Sequence, residues 1–453
     1  MAVNCRVYDL NKMSAAVIIC VSLTIAHTAG AEEMQDVESP VAPLFSGFVY
    51  GQFAQREINH ALNADNGAGV PVQTAELAGA IDMRYSSLWL RTRLTAERKY
   101  IPTKRQNTAD EANKFAADIP QVSWKYIFSD QTSFTIGRLN LTLDDGQSFH
   151  AIDILEDGIR GSDFEDRAGK FVGFPMVNIT YANALSAYRL IYSDDTISSY
   201  SYEYGGTNPG FNRGFRQWVA TGRKSIDQLT ATAVLQYIEA GNPGGGVALS
   251  YVPTAAWSFY VAGFANRGNP YPVHKNVYLN RGDQLGAADV YIYQSPVQPW
   301  LAHDGQIRAR GLAGATFTTE ANTTWVMELW RDNRGMNSDQ FQIWKNVVKF
   351  HDNLTNQSAR GINLGYDMES LRIAHGTHIF LRMSMSVVHD IDIQPSLMAT
   401  RDGSGILNAR WTQHVATTWE YWVETWLRFG DKYSQYGASP ERVGVQFNAR
   451  WFF

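Results

Sequence analysis

The chain has 453 residues, a formal net charge of −5 and 13% aromatic residues. An acidic balance without a block of basic residues argues against nucleic-acid binding. Beyond the N-terminal region, no apolar run reaches the roughly 20 residues that a transmembrane helix needs, which argues against a helical membrane protein. The sequence has no P-loop, no dinucleotide-binding fingerprint and no H-E-x-x-H zinc motif. We therefore expect no catalytic residues, no metal site and no cofactor.

The N-terminal residues have the pattern of a secretory signal peptide. Arg6 and Lys12 precede an uncharged apolar stretch, residues 15–26, and Ala29-Gly30-Ala31 follows it. A basic segment, a short apolar core and an A-x-A cleavage site are the three parts of such a peptide, whereas a membrane-spanning helix needs a longer core. The predicted division of the chain is a signal peptide at 1–31, a short periplasmic N-terminal segment at 32–43 and a β-barrel at 44–453.

Most of the remaining chain alternates between apolar and polar residues, which is typical of half-buried β-strands. Short turns and long loops alternate between the strands, and a soluble double sheet does not explain that regularity. We predict an all-β fold, a transmembrane antiparallel up-and-down β-barrel of about 18 strands, with 16 as the alternative, and with short periplasmic turns and long outer loops. The predicted strands are 45–53, 75–83, 88–97, 122–128, 134–136, 177–181, 188–192, 215–223, 229–237, 247–251, 257–261, 307–317, 325–329, 362–368, 379–385, 407–411, 419–429 and 442–453.

Arginines on several strands indicate that the barrel interior is wet. On the predicted third strand, Arg91 and Arg93 alternate with apolar residues. An arginine that faces lipid costs roughly 2–4 kcal/mol at the membrane midplane, so these side chains must face an aqueous lumen. Such charges either line a pore or pair into networks that plug the barrel, and the sequence leaves both open. The other predicted pore-lining arginines are Arg308, Arg310 and Arg382.

The third loop, residues 143–170, is the candidate constriction. It contains apolar residues such as Phe149 and Ile152, which a freely solvated loop would not need. Loops of this length without a function are uncommon. The alternative is an extracellular acidic loop that binds divalent cations or lipopolysaccharide. The acidic residues that we expect at the constriction are Asp144, Asp145, Asp157, Asp163, Glu165 and Asp166.

The chain ends on a strand with aromatic residues on its apolar face. Phe447, Trp451 and Phe453 share that face, and the interleaved residues are mostly polar. Aromatic residues at a strand end are typical of the girdle of a membrane barrel. The ending resembles the C-terminal assembly signal of Gram-negative outer-membrane β-barrels, which finish on Phe with apolar or aromatic residues at alternate positions. In architecture the chain is similar to substrate-selective porins and to exopolysaccharide-export barrels.

This resemblance implies a location in the Gram-negative outer membrane after signal-peptide cleavage, with the third loop folded inward to narrow the pore. The expected function is passive diffusion of small hydrophilic solutes through a charged constriction. The implied partners are outer-membrane lipid and lipopolysaccharide, the barrel-assembly machinery and those solutes, with monomer and homo-oligomer both left open. The alternatives are an export channel for an anionic exopolysaccharide and a barrel with a structural or partner-sheathing role.

Overall fold

The computed structural model describes the barrel strands and parts of the loops between them. The described residues are 44–58, 72–102, 109–139, 141, 143, 146–152, 173–194, 216–239, 242–267, 273–274, 300–301, 307–333, 338, 341–342, 345, 376–388, 390–439 and 441–453. The predicted signal peptide and the segment at 32–43 lie outside these residues. Within the described part of the chain, no helix is long and apolar enough to cross a membrane.

Eighteen antiparallel strands form a closed ring in which each strand pairs with its neighbours along the chain and β1 pairs with β20. The strands β12 (Val273–His274) and β13 (Trp300–Leu301) form a separate two-stranded sheet. The predicted fold class is confirmed. The barrel strands are β1 (Leu44–Ile58), β2 (Gln73–Tyr85), β3 (Leu88–Pro102), β4 (Ala109–Ser129), β5 (Thr132–Leu139), β6 (Phe174–Ala182), β7 (Ser186–Asp194), β8 (Arg216–Ile226), β9 (Leu229–Ile238), β10 (Asn242–Thr254), β11 (Trp257–Arg267), β14 (Ile307–Thr318), β15 (Thr324–Asp332), β16 (Thr377–Val388), β17 (Ile391–Thr400), β18 (Gly405–Val415), β19 (Trp419–Phe429) and β20 (Glu441–Phe452).

The alternation of exposed and buried residues separates an outer face from a lumen face. On β15, Met327 and Leu329 are about half exposed, whereas Glu328 and Trp330 are buried. Successive side chains of a strand point to opposite faces, so the exposed set lies outside the ring and the buried set inside. Aromatic rings stack on the outer face near the short turns, for example Trp257 on Phe317 at 4.4 Å. Such aromatics match an interfacial girdle.

The two ends of the barrel differ in their connections. Turns of two to five residues join β2 to β3, β4 to β5 and every second pair thereafter, and we call this side the turn end. Most connections on the other side are longer, the longest being those after β5, β11 and β15, and we call this side the loop end. The chain also enters β1 and leaves β20 at the turn end, because Gly47 and Phe453 bond each other there through their backbone N–H and C=O groups.

One predicted strand is replaced by another. The predicted strand at 362–368 lies outside the described residues. The strand predicted at 379–385 belongs to β16, which pairs with β15 on one edge and with β17 on the other. β17 was not predicted from the sequence. Its Pro395 lacks the N–H that a ladder needs, so the segment does not read as a strand between two neighbours. The predicted total of eighteen is therefore right although one of its members was misplaced.

Candidate functional site

Part of the third loop lies inside the barrel. Residues 146–152, which we call the docked segment, belong to the connection between β5 and β6 and contact lumen-facing residues of β14, β15 and β16. Counted around the ring, β15 is eight strands from β5 in one direction and ten in the other. The docked segment therefore reaches across the lumen to the opposite wall.

Glu328 on β15 accepts four hydrogen bonds at the centre of this contact. Its Oε1 accepts the backbone N–H of Gln147 at 2.6 Å and the Tyr260 hydroxyl at 2.6 Å. Its Oε2 accepts the backbone N–H of Ser148 at 2.9 Å and the Ser148 hydroxyl at 2.5 Å. A buried carboxylate is stable only when it is hydrogen-bonded or paired, and these donors meet that need.

A glycine makes the bond from Tyr260 to Glu328 geometrically accessible. Tyr260 on β11, Gly314 on β14 and Glu328 on β15 are direct partners in register, so β14 separates the two side chains that bond. A Cβ at Gly314 would lie 2.3 Å from the Tyr260 ring. The missing side chain therefore lets the phenol ring pass over β14 and reach the carboxylate.

Two arginines and a pair of stacked rings hold the rest of the docked segment. Arg310 donates from Nε to the carbonyl oxygen of Ala151 at 2.6 Å, and Arg382 donates from Nη2 to Oε1 of Gln147 at 3.0 Å. Phe149 stacks on Trp330 with centroids 5.1 Å apart and an interplanar angle of 12°. Arg310 and Arg382 thus bind the docked segment of the third loop directly.

The apolar residues of the docked segment extend a buried cluster around about half of the lumen. Phe149 and Ile152 are fully buried, and the cluster includes Ile191 of β7, Val219 of β8 and Val234 of β9. Burial of such side chains removes apolar surface from water and stabilises the docked position. This side of the lumen is therefore filled by apolar side chains.

The wall from β18 through β1 to β3 carries paired charges. Arg91 forms a two-point ion pair with Asp82, with distances of 2.7 and 2.8 Å. Arg93 is buried and donates to the Thr95 hydroxyl at 3.1 Å. Further lumen ion pairs on this wall join Arg410 to Glu424, Arg450 to Glu420, and both Arg56 and Arg428 to Glu441.

The remaining predicted site residues fall into three groups. Arg308 faces the lumen near the loop end and donates from Nη1 to the carbonyl oxygen of Asn333 at 3.1 Å. Phe447 and Trp451 lie on the outer face of β20, and Phe453 follows that strand. The predicted acidic residues Asp144, Asp145, Asp157, Asp163, Glu165 and Asp166 lie outside the described residues. Across the part of the chain that is described, no group of three His, Cys, Asp or Glu residues is arranged to hold a metal ion.

Trp330 and Tyr260 were not predicted as contact residues of this site. A signal for them exists on β15, where apolar residues occupy both faces over residues 325–330. A strand with lipid on one side and water on the other should be polar on its lumen face. An apolar lumen face therefore indicates that another part of the protein covers it.

Comparison with known proteins finds matches to solved structures. No family model and no curated protein matches the sequence. OccAB1 of Acinetobacter baumannii matches over 93% of this chain and 99% of its own, with a TM-score of 0.51 and 10% identity. The chain has the fold of OccAB1. The expected similarity to porin-like outer-membrane barrels is thus confirmed for the fold.

Two further structures match at lower scores. OprD of Pseudomonas aeruginosa matches over 91% of this chain and 95% of its own, with a TM-score of 0.47 and 9% identity. A Rhodopseudomonas blastica porin mutant matches over 91% of this chain and 100% of its own, with a TM-score of 0.39 and 8% identity.

Proposed function

We propose that this chain is an outer-membrane channel through which small hydrophilic solutes diffuse passively past a charged constriction. The observation that carries the proposal is the docked segment, which crosses the lumen and is fixed to the opposite wall by Glu328, Arg310 and Arg382. A barrel of 18 strands is wide enough for an aqueous channel. A segment that fills one side of such a barrel narrows the path to a passage lined by the opposite wall.

The charges on that wall favour small solutes over an anionic polymer. Export of an anionic polymer would be served by a lumen dominated by unpaired arginines. Here Arg91, Arg410 and Arg450 each pair with a carboxylate. Adjacent charges of opposite sign produce a local field that orients dipolar solutes without retaining a polyanion.

Ion selectivity tests this proposal with a matched pair of variants. Arg91→Ser leaves the Asp82 charge on the wall, and Asp82→Asn leaves the Arg91 charge. The reversal potential under a salt gradient in planar bilayers should shift toward cation selectivity for the first variant and toward anion selectivity for the second. Both shifts should shrink at 1 M salt, where the Debye length is about 3 Å. Absence of ohmic conductance in the wild type would contradict the channel itself.

The predicted acidic residues of the third loop provide a second arm of the experiment. Replacing Asp163, Glu165 and Asp166 with their amides should increase anion selectivity, whereas Arg308→Ser should increase cation selectivity. If the loop variant leaves the reversal potential unchanged while the wall variants shift it, these three residues lie away from the ion path. If no variant shifts it, the charges have a structural role.

We propose further that residues 1–31 are removed during secretion and that Phe447, Trp451 and Phe453 form the signal read by the barrel-assembly machinery. The placement of these aromatics at the outer face and end of β20 supports this assignment. The channel acts without catalysis or a cofactor in this proposal.

A further inference from the structure

The outer surface formed by β11 and β14–β17 carries arginines at one end. Arg267 is the last residue of β11, Arg331 is the next to last of β15 and Arg401 directly follows β17. All three arginines are exposed. β11, β15 and β17 each begin after a short turn, so all three arginines lie toward the loop end.

The register shows that two of these arginines, Arg267 and Arg331, point away from the lumen. Arg331 lies on the same face of β15 as Leu329, which is 51% exposed, and Arg267 is the direct partner of Ile307, which is 72% exposed. Directly paired residues of neighbouring strands share a face. Arg331 and Arg267 therefore face the surroundings of the barrel near its loop end.

No acidic residue balances these charges on the described outer surface of the five strands. The acidic residues within these strands, Glu328, Asp332 and Asp392, all lie on lumen faces. Among the described residues, the side chains of Arg267, Arg331 and Arg401 form no hydrogen bond or ion pair. The outward Arg216 on β8 differs, because Asp194 accepts from its Nε at 2.9 Å and Glu239 lies 3.6 Å from its Nη1.

A shallow apolar trough leads from the arginines along β14. The outer face of β14 carries Ala309, Gly311 and Ala313 in succession. Val261 of β11 and Leu329 of β15 flank Ala313 in register and are each about half exposed. The two flanking strands are about 10 Å apart, because each strand spacing is about 4.8 Å. This width fits a single acyl chain.

We propose that this surface binds lipopolysaccharide, with Arg267, Arg331 and Arg401 on the phosphates of its lipid A part and an acyl chain in the β14 trough. Guanidinium groups bind phosphate through two parallel hydrogen bonds, and an arginine that faces lipid gains most from such a counter-anion. The proposal rests on the proposed outer-membrane location, since only there does the loop end meet a leaflet of phosphorylated glycolipid.

Binding of lipid A to the purified full-length protein in detergent tests the proposal. Native mass spectrometry would measure the affinity for diphosphorylated lipid A in the wild type, in the three single Arg→Ser variants and in the triple variant. The triple variant should bind at least about tenfold more weakly, since several charge-assisted hydrogen bonds are removed. Arg216→Ser is the matched control, because Arg216 lies at the same end but already has carboxylate partners, and its affinity should equal that of the wild type.

Three results would overturn the proposal: an unchanged affinity in the triple variant, an equal loss in Arg216→Ser, or equally tight binding of dephosphorylated lipid A or phosphatidylglycerol. Faster migration of the unboiled sample on detergent gels checks that each variant is folded. If the triple variant does not fold, the affinities of the single variants test the proposal. Conductance is measured on the same preparations. Conductance without lipid A binding would contradict only the lipid site. Lipid A binding without conductance would contradict only the channel.

Discussion

Glu328 accepts three hydrogen bonds from the docked segment. It is 2% exposed, and its two oxygens accept two consecutive backbone N–H groups and two hydroxyls. Hydrogen bonds to a charged group are stronger than neutral ones, and a buried donor that loses its acceptor keeps its desolvation cost. The hydrogen bonds at Glu328 therefore hold the docked segment against the lumen wall.

Glu328→Gln should loosen the docked segment. The amide nitrogen cannot accept the hydrogen bonds that one carboxylate oxygen accepts, so the docking free energy should fall by roughly 3 kcal/mol. We expect noisier single-channel currents with a larger mean conductance. Glu239→Gln removes the same group from an exposed position at the loop end and serves as control. Equal current noise in both variants would show that Glu328 does not hold the segment.

Alternation alone predicted that the five named arginines face the lumen, because the period of two assigns each residue of a strand to a face. It could not predict that Tyr260 reaches Glu328, since that contact depends on the register of β11, β14 and β15 and on the missing side chain of Gly314. Contacts made by the docked segment depend equally on the path of a loop, which no periodicity encodes.

At the scale of the element, β17 shows how one residue can hide a strand. Its outer face carries Ile391, Ile393, Leu397 and Ala399, which is a normal pattern, but Pro395 interrupts it. The ladder with β16 has no partner recorded for Pro395, while the ladder with β18 pairs it with Ala409. β17 is stabilised by its pairing with β16 and β18 rather than by the strand propensity of its own residues.

Pro395→Val should strengthen this part of the barrel. A valine supplies the missing N–H and a side chain suited to a strand, and one added ladder bond contributes about 1 kcal/mol to the free energy of unfolding. Urea unfolding in detergent or lipid, followed by tryptophan fluorescence, measures the change. Leu397→Val is the matched control, because it places a valine on the same face of β17 without adding a backbone N–H group. Lower stability of Pro395→Val than of the wild type would contradict the argument.

The closing strand β20 gives a second prediction at this scale. Deleting Trp451–Phe453, or replacing Phe453 with Ser, should abolish assembly, because these residues complete the pairing with β1 and carry the proposed assembly signal. The readout is the amount of folded protein in the outer membrane. Phe453→Tyr keeps the ring and should assemble normally. Wild-type surface levels of the truncated chain would refute the assignment.

For the whole molecule, the closed ring predicts strong resistance to detergent. A barrel without free edges keeps every strand paired, so the folded chain should migrate faster than the boiled chain on gels. Mass spectrometry of the same sample should place the mature N-terminus at about Glu32. Identical mobility before and after boiling would contradict a closed barrel, and a retained residue 1 would contradict the signal peptide.

The predicted total of eighteen strands matches only because 362–368 was counted while β17 was not predicted. The contrast between short turns and long loops follows from the sequence, because it depends on local alternation and turn chemistry. The filled half of the lumen does not, because Ile152 and Val234 come from segments far apart in the chain. Only the closed ring brings them together.

The pairing of the first and last strands also sets the order of folding. Tyr50 donates its hydroxyl to Asn448, 398 positions further along the chain. Contacts between such distant residues carry a large loop-closure entropy and form slowly. Until the final residues of the polypeptide are available, β1 and the strand before β20 each keep an unpaired edge, and such edges invite pairing with other chains. The chain is therefore protected from edge-to-edge aggregation only once β20 has paired with β1.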